Sequence, residues 1–161
     1  MITKKLYIGI DGGRETGLAT WNSAEQAFSE ILTTDFWGAI DRIEYWAQYC
    51  LLSALELTVV IENPAGNSPV FKIDGVYSAT NGNHHVKLAA AGFVASSIGS
   101  VKRESELLIE YCKKHKIIYR ALTPGKRSLT KLDAEKFERY TGYKKRISQH
   151  GRDAAMLVFQ F

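Results

Sequence analysis

Cysteine is nearly absent: the 161 residues contain two, Cys50 and Cys112. Neither belongs to a C-x-x-C pair or has a histidine at zinc-site spacing. A disulfide framework and a structural zinc cluster are therefore excluded, and two plain thiols in a reducing compartment are expected. Long hydrophobic runs are missing too. Every apolar stretch falls far short of the roughly 20 residues that span a bilayer. Met1 to Lys5 lead straight into a strand pattern, with no leader-like segment. No internal repeat or low-complexity tract occurs. The expectation is an intracellular, soluble chain with no membrane partner.

What is present is ordinary in amount and uneven in placement. Hydrophobic residues make up 45% and charged residues 24%, which is globular composition. The length fits one domain, able to bury roughly 70% of its unfolded surface. The net charge is +4, but residues 1–101 carry 6 Lys/Arg against 10 Asp/Glu, and residues 102–146 carry 14 against 6. An acidic front half and a basic back half fit a polyanion held beside an acidic centre. Solvated helix faces would give the same imbalance.

The hydrophobic pattern predicts a definite order of elements. Leu6 to Ile10 form a short apolar run closed by Asp11 and a Gly12-Gly13 turn. Gly17 to Trp21 and Ala27 to Thr33 read as two more strands, close enough to make an antiparallel meander. Phe36, Ile40, Ile43, Ala47, Cys50, Leu51 and Ala54 then recur at helical spacing, with Thr34 or Asp35 as cap. Thr58 to Glu62 read as a buried central strand. Residues 63–83 form a long loop rich in Gly, Pro, Asn and Ser. A helical stretch from His84 to Ile98 follows, interrupted or bent at Gly99-Ser100, then a helix over 101–116 with Leu107, Leu108, Tyr111 and Cys112 inward. Ile117 to Leu122 give a fifth strand. Thr130 and Asp133 resemble a capping box for a short helix ended by Gly142. Ser148 caps a last helix whose buried face is Ala154, Leu157, Val158 and Phe161. The fold class is α/β: a mixed five-stranded sheet, three strands antiparallel and the rest parallel, with helices on both faces.

Four residues carry the chemistry in this arrangement. Asp11 and Glu62 each close an apolar strand, a costly place for a charge unless it is paired or binds a metal. If those strands are parallel neighbours, both carboxylates emerge at one sheet edge. His150 and Asp153, three apart, share a face of the last helix and can reach the same edge. Each has a plain alternative as a turn, strand-end or capping residue. As a set they repel one another, and a hard cation, Mg²⁺ or Mn²⁺, resolves that repulsion. Two such ions about 4 Å apart can activate water and stabilise the leaving oxygen of a phosphodiester.

The segments Ile8-Gly9-Ile10-Asp11-Gly12-Gly13 with Thr16-Gly17, Val59-Val60-Ile61-Glu62, and His150-Gly151-Arg152-Asp153-Ala154-Ala155 resemble the three acidic motifs of RuvC-like Holliday junction resolvases in the ribonuclease H-like superfamily. The element order between them fits as well. The resemblance implies a ribonuclease H-like domain over 1–161, a homodimer, and Mg²⁺-dependent endonucleolytic cleavage of four-way DNA junctions for recombination or repair. It implies Asp11, Glu62 and Asp153 as metal ligands, Asp11 shared between two ions, and His150 as ligand or proton carrier. Gly12 stands where the family often has proline, Asn63-Pro64 follows the glutamate, and residues 63–83 depart from the family's junction loop. Phosphate contacts are expected from Lys102, Arg103, Lys126, Arg127, Lys131, Lys144, Lys145 and Arg146. Phe71 would stack on an unpaired base or pin its loop to the core. His84 and His85 are assigned no role. Three other readings compete: an actin-like ATPase fold, which needs far more residues; a catalytically silent relative that only binds nucleic acid; and a nuclease of the same fold acting on flaps, single strands or RNA–DNA hybrids.

Overall fold

The computed structural model describes residues 4–63, 84–123 and 131–161, with the backbone alone for 84–98. Phe71, Lys126, Arg127, Thr130 and nearly all of the 63–83 loop lie outside the described residues.

Five strands form one mixed sheet in the order β3-β2-β1-β4-β5. They are β1 (Lys5–Asp11), β2 (Thr16–Asn22), β3 (Ala27–Thr34), β4 (Glu56–Glu62) and β5 (Ile118–Leu122). The first three make the antiparallel meander, and β4 and β5 add in parallel. The helices are α1 (Phe36–Leu52), α2 (His84–Lys114), α3 (Ala134–Thr141) and α4 (Gln149–Val158).

Alternation along the central strands sorts the two faces. Leu6, Ile8 and Ile10 of β1, with Val59 and Ile61 of β4, point to one side. They meet Ala39, Ile40, Ile43, Trp46 and Cys50 of α1 and Leu108 and Cys112 of α2. Tyr7 and Val60 point to the other side and pack against Leu157 and Val158 of α4. Beside them Ala19 and Ile31 meet Phe137 of α3 and Ala154 and Ala155 of α4. A bulge in β3 breaks the alternation. Glu30 pairs with Thr20 and Phe28 with Trp21, so two residues of equal parity face opposite sides. Phe28 joins the α4 side, edge-on to Trp21 at 4.8 Å. Glu30 faces α1, where it accepts hydrogen bonds from the Arg42 guanidinium and the Trp46 indole and pins the helix to β3.

Ile40, Ile43 and Cys50 of α1 are buried as expected, but the edges of the apolar stripe differ. Ala39 and Trp46 are inside, Leu51 is 82% exposed, and Ala54 lies beyond the helix end. Asp35, not Thr34, is the cap, its carboxylate accepting from the Gly38 N–H at 2.8 Å. The expected interruption at Gly99-Ser100 does not occur, since α2 runs unbroken for 31 residues. A mid-helix glycine costs only about 1 kcal/mol, too little to break a helix rich in strong formers on either side. The short helix α3 is capped by Asp133 itself, which accepts from the Lys136 N–H at 2.8 Å, rather than by a box starting at Thr130. Gly142 ends it with φ of 71°, the left-handed conformation that glycine adopts without strain. Ser148 caps α4 as expected, accepting from the Gly151 N–H at 3.0 Å. Phe161 lies past the end of α4 and sets its ring edge-on against Tyr7.

Candidate active site

The parallel pairing of β1 and β4 puts Ile10 opposite Ile61, which sets Asp11 and Glu62 level with one another. Strand parity sends both to the face covered by α4. Sequence position alone therefore delivers two carboxylates to one edge, on one side of the sheet.

Two glycines let the last helix come down to them. A Cβ on Gly9 would lie 2.1 Å from the backbone oxygen of Ala154, and one on Gly17 would lie 1.9 Å from the backbone oxygen of His150. Only a residue without a side chain fits either place, so α4 rests on β1 and β2 backbone to backbone. That contact fixes how His150 and Asp153 meet the strand ends. His150 Nδ1 sits 2.9 Å from Asp11 Oδ2. The His150 side chain is 44% exposed and that of Asp11 13%, so the pair joins a sheltered carboxylate to solvent. With Nδ1 engaged, Nε2 is the nitrogen left for proton exchange or metal binding.

Asp153 is buried, and its Oδ1 accepts two short hydrogen bonds, from the Lys131 backbone N–H and from Gln149 Nε2, both 2.6 Å. Glu62 is half-buried beside these groups. Burial, hydrogen bonding to Asp11 and the charges of Asp11 and Asp153 push its carboxyl up from 4.5 to about 8, and the Lys131 ammonium pulls it back only in part. The structure thus brings Asp11, Glu62, Asp153, His150 and Lys131 together. The donors are hard oxygens carrying excess negative charge, a set suited to Mg²⁺ or Mn²⁺. Among the described residues no three His, Cys, Asp or Glu side chains already surround one point at ligating range.

The end of β4 and the loop after β1 are held from the opposite side. Ser105 of α2 is fully buried and donates to the Glu62 carbonyl at 2.9 Å. Glu104 accepts from the Gly13 backbone N–H, and burial raises its carboxyl. Its Oε2 is buried with no hydrogen-bond partner among the described residues. Sequence reading missed Glu104, Ser105, Gln149 and Arg152. For Gln149 a signal existed, because glutamine four residues before aspartate is a known helical hydrogen-bonding pair. Nothing local marks Ser105 or Glu104, whose partners lie across the sheet edge.

The expected phosphate contacts divide by location. Lys131 joins the carboxylates. Lys102 and Arg103 are exposed on α2, where Arg103 already bridges Glu106 and Glu110 at 3.5 Å each. Lys144, Lys145 and Arg146 line a cavity of about 190 Å³ on the α3–α4 side, with Phe137, Tyr143 and Arg152 among its walls. Among the described residues no helix is long and apolar enough to cross a membrane. No family model matches the chain, nor does any curated protein or solved structure.

Proposed function

We propose that the protein is a divalent-metal-dependent endonuclease of ribonuclease H-like fold that hydrolyses phosphodiesters in branched DNA, with four-way junctions as substrate and a homodimer as the working form. The observation that carries the reading is the meeting of Asp11, Glu62 and Asp153 at one sheet edge, with Glu62 pushed up to about 8 by burial and by its acidic neighbours. Three carboxylates faced, among the described residues, by Lys131 and the His150 imidazole are poorly compensated unless a cation completes them.

In this reading Asp11, Glu62 and Asp153 hold Mg²⁺, with Mn²⁺ as substitute, and the ion supplies Lewis-acid activation of water and stabilisation of the leaving oxygen. The chain's own residues do the rest. His150, oriented through Nδ1 by Asp11, exchanges protons with solvent through Nε2. Lys131 neutralises phosphate charge beside the carboxylates. Lys102, Lys144, Lys145 and Arg146 attract the backbone of the substrate by charge, which makes binding salt-sensitive.

The test is cleavage of a synthetic four-way junction in Mg²⁺ by wild type and by Asp11→Asn, beside flap, single-strand and RNA–DNA hybrid substrates. Paired symmetric nicks, lost in the variant while junction binding persists, are the expected result. Cleavage of another substrate alone keeps the active site and discards junction resolution. No cleavage of any substrate in Mg²⁺ or Mn²⁺ leaves only a binding protein.

A further inference from the structure

Gln149 and Arg152, on the first turn of α4, form a clasp around Asp153. The Arg152 guanidinium donates to the carbonyls of Leu132 and Ile147, at 3.0 and 2.8 Å, and to Gln149 Oε1 at 2.7 Å. A guanidinium only donates. The oxygen of the Gln149 amide must therefore face Arg152, and its nitrogen must face the other way. That nitrogen donates to Asp153 Oδ1 at 2.6 Å, with a longer contact to the Leu132 carbonyl at 3.3 Å. The partners on both sides fix the orientation of the amide, so it is not a free rotor. The Lys131 N–H takes the same Oδ1 at 2.6 Å, from a residue held at φ of 69°, a left-handed conformation that a non-glycine residue adopts only when its surroundings hold it there.

The consequence is an asymmetric carboxylate. One oxygen of Asp153 receives two donors, and among the described residues no hydrogen bond engages the other. Gln149 itself is solvent-exposed, so it adds nothing to the core that its replacement would remove. We propose that Gln149 is a positioning residue for the acidic centre: oriented by Arg152, it occupies Asp153 Oδ1 and thereby reserves Oδ2 for a divalent cation. This rests on the reading of Asp11, Glu62 and Asp153 as a cation site and assigns a task to a side chain outside that set. Partners that orient a ligand in this way typically change metal affinity by 10–100-fold when removed.

The experiment is Mn²⁺ binding to the full chain, followed by the paramagnetic resonance of the free ion, for wild type, Asp11→Asn, Gln149→Met, Asp153→Asn and the Gln149→Met/Asp153→Asn double variant. Thermal melting in chelator runs alongside. Gln149→Met should bind Mn²⁺ about tenfold more weakly than wild type while melting at the same temperature. The double variant should bind no more weakly than Asp153→Asn alone, because Gln149 acts through that carboxylate. If Gln149→Met melts early, Gln149→Asn, whose amide falls one methylene short, should show the same weakening at unchanged melting. Wild-type affinity in a folded Gln149 variant, or losses that simply multiply in the double variant, would overturn the positioning role while Asp11-dependent binding keeps the metal site. Wild type that binds no Mn²⁺ overturns both.

Discussion

Replacing Glu62 by glutamine should stabilise the metal-free protein, and the gain should grow with pH. In the unfolded chain this carboxyl ionises near 4.5, and in the fold it holds its proton to about 8. The sign follows from linkage. Below 4.5 both states are protonated and the group is neutral in its effect. Between 4.5 and about 8 the unfolded chain releases the proton that the fold retains, so stability falls as pH rises, and above 8 the full penalty applies. Each pH unit of separation changes the folding equilibrium about tenfold. Unscreened, the cost would reach roughly 5 kcal/mol. Glu62 is only half-buried, and water screening brings the expected figure to about 1–2 kcal/mol. Denaturant unfolding in chelator at pH 5 and pH 8.5 reads it directly. Glu62→Gln should exceed wild type by that amount at pH 8.5 and by much less at pH 5. Excess Mg²⁺ should close the gap at pH 8.5, since an ion that binds only the folded state stabilises it by mass action and the variant has lost a ligand. A variant no more stable than wild type at pH 8.5, or a gap independent of pH, would refute the argument that burial and the acidic neighbours hold the proton on Glu62 in the fold.

Two further variants test how α4 is seated. Gly9→Ala would place a methyl 2.1 Å from the Ala154 backbone oxygen. Backbone cannot yield as a side-chain tip does, so a loss of about 3 kcal/mol, the upper end for overpacking, is expected in urea unfolding, and with it a loss of the proposed nuclease activity as α4 lifts from β1. Ser148→Ala removes the cap of α4 and the contact of Ser148 Oγ with the Thr33 hydroxyl. About 1–2 kcal/mol should be lost, read by the same unfolding curves, with the fold retained by circular dichroism.

The course of the chain was legible because each element follows a local rule. The apolar runs of β1 and β4, the period change at Phe36 and the caps at Asp35 and Ser148 are all set within a few residues of themselves. Errors arose where a tertiary contact overrode the pattern. Leu51 fits the apolar stripe of α1 by spacing but is exposed, while Trp46, whose indole donates to the Glu30 carboxylate on β3, takes a place in the buried face. Gly99 reads as a break because glycine is a poor helix former, yet one such residue weighs little against a helix of this length. Nothing local marks Glu30, which the bulge beside it places opposite Thr20.

The site shows the same division more sharply. Asp11 and Glu62 can be found from sequence because a carboxylate at the end of a buried strand is costly wherever the strand lies, and parity with parallel pairing then brings the two level. His150 and Asp153 follow from one helix turn. What spacing could not give is the roles within the set. His150 contacts Asp11 through Nδ1 and Asp153 is held by Gln149 and Lys131, so the two residues of one motif are engaged by different partners. Those partners come from β1, from the preceding turn of α4 and from the segment leading into α3, and only the close seating of α4 on Gly9 and Gly17 brings them into range. The glycines of the first-strand motif therefore act at a distance from the aspartate they accompany: they admit the helix that completes the site. A substitution there should disturb the acidic centre as surely as one in a carboxylate, by displacement and not by loss of charge.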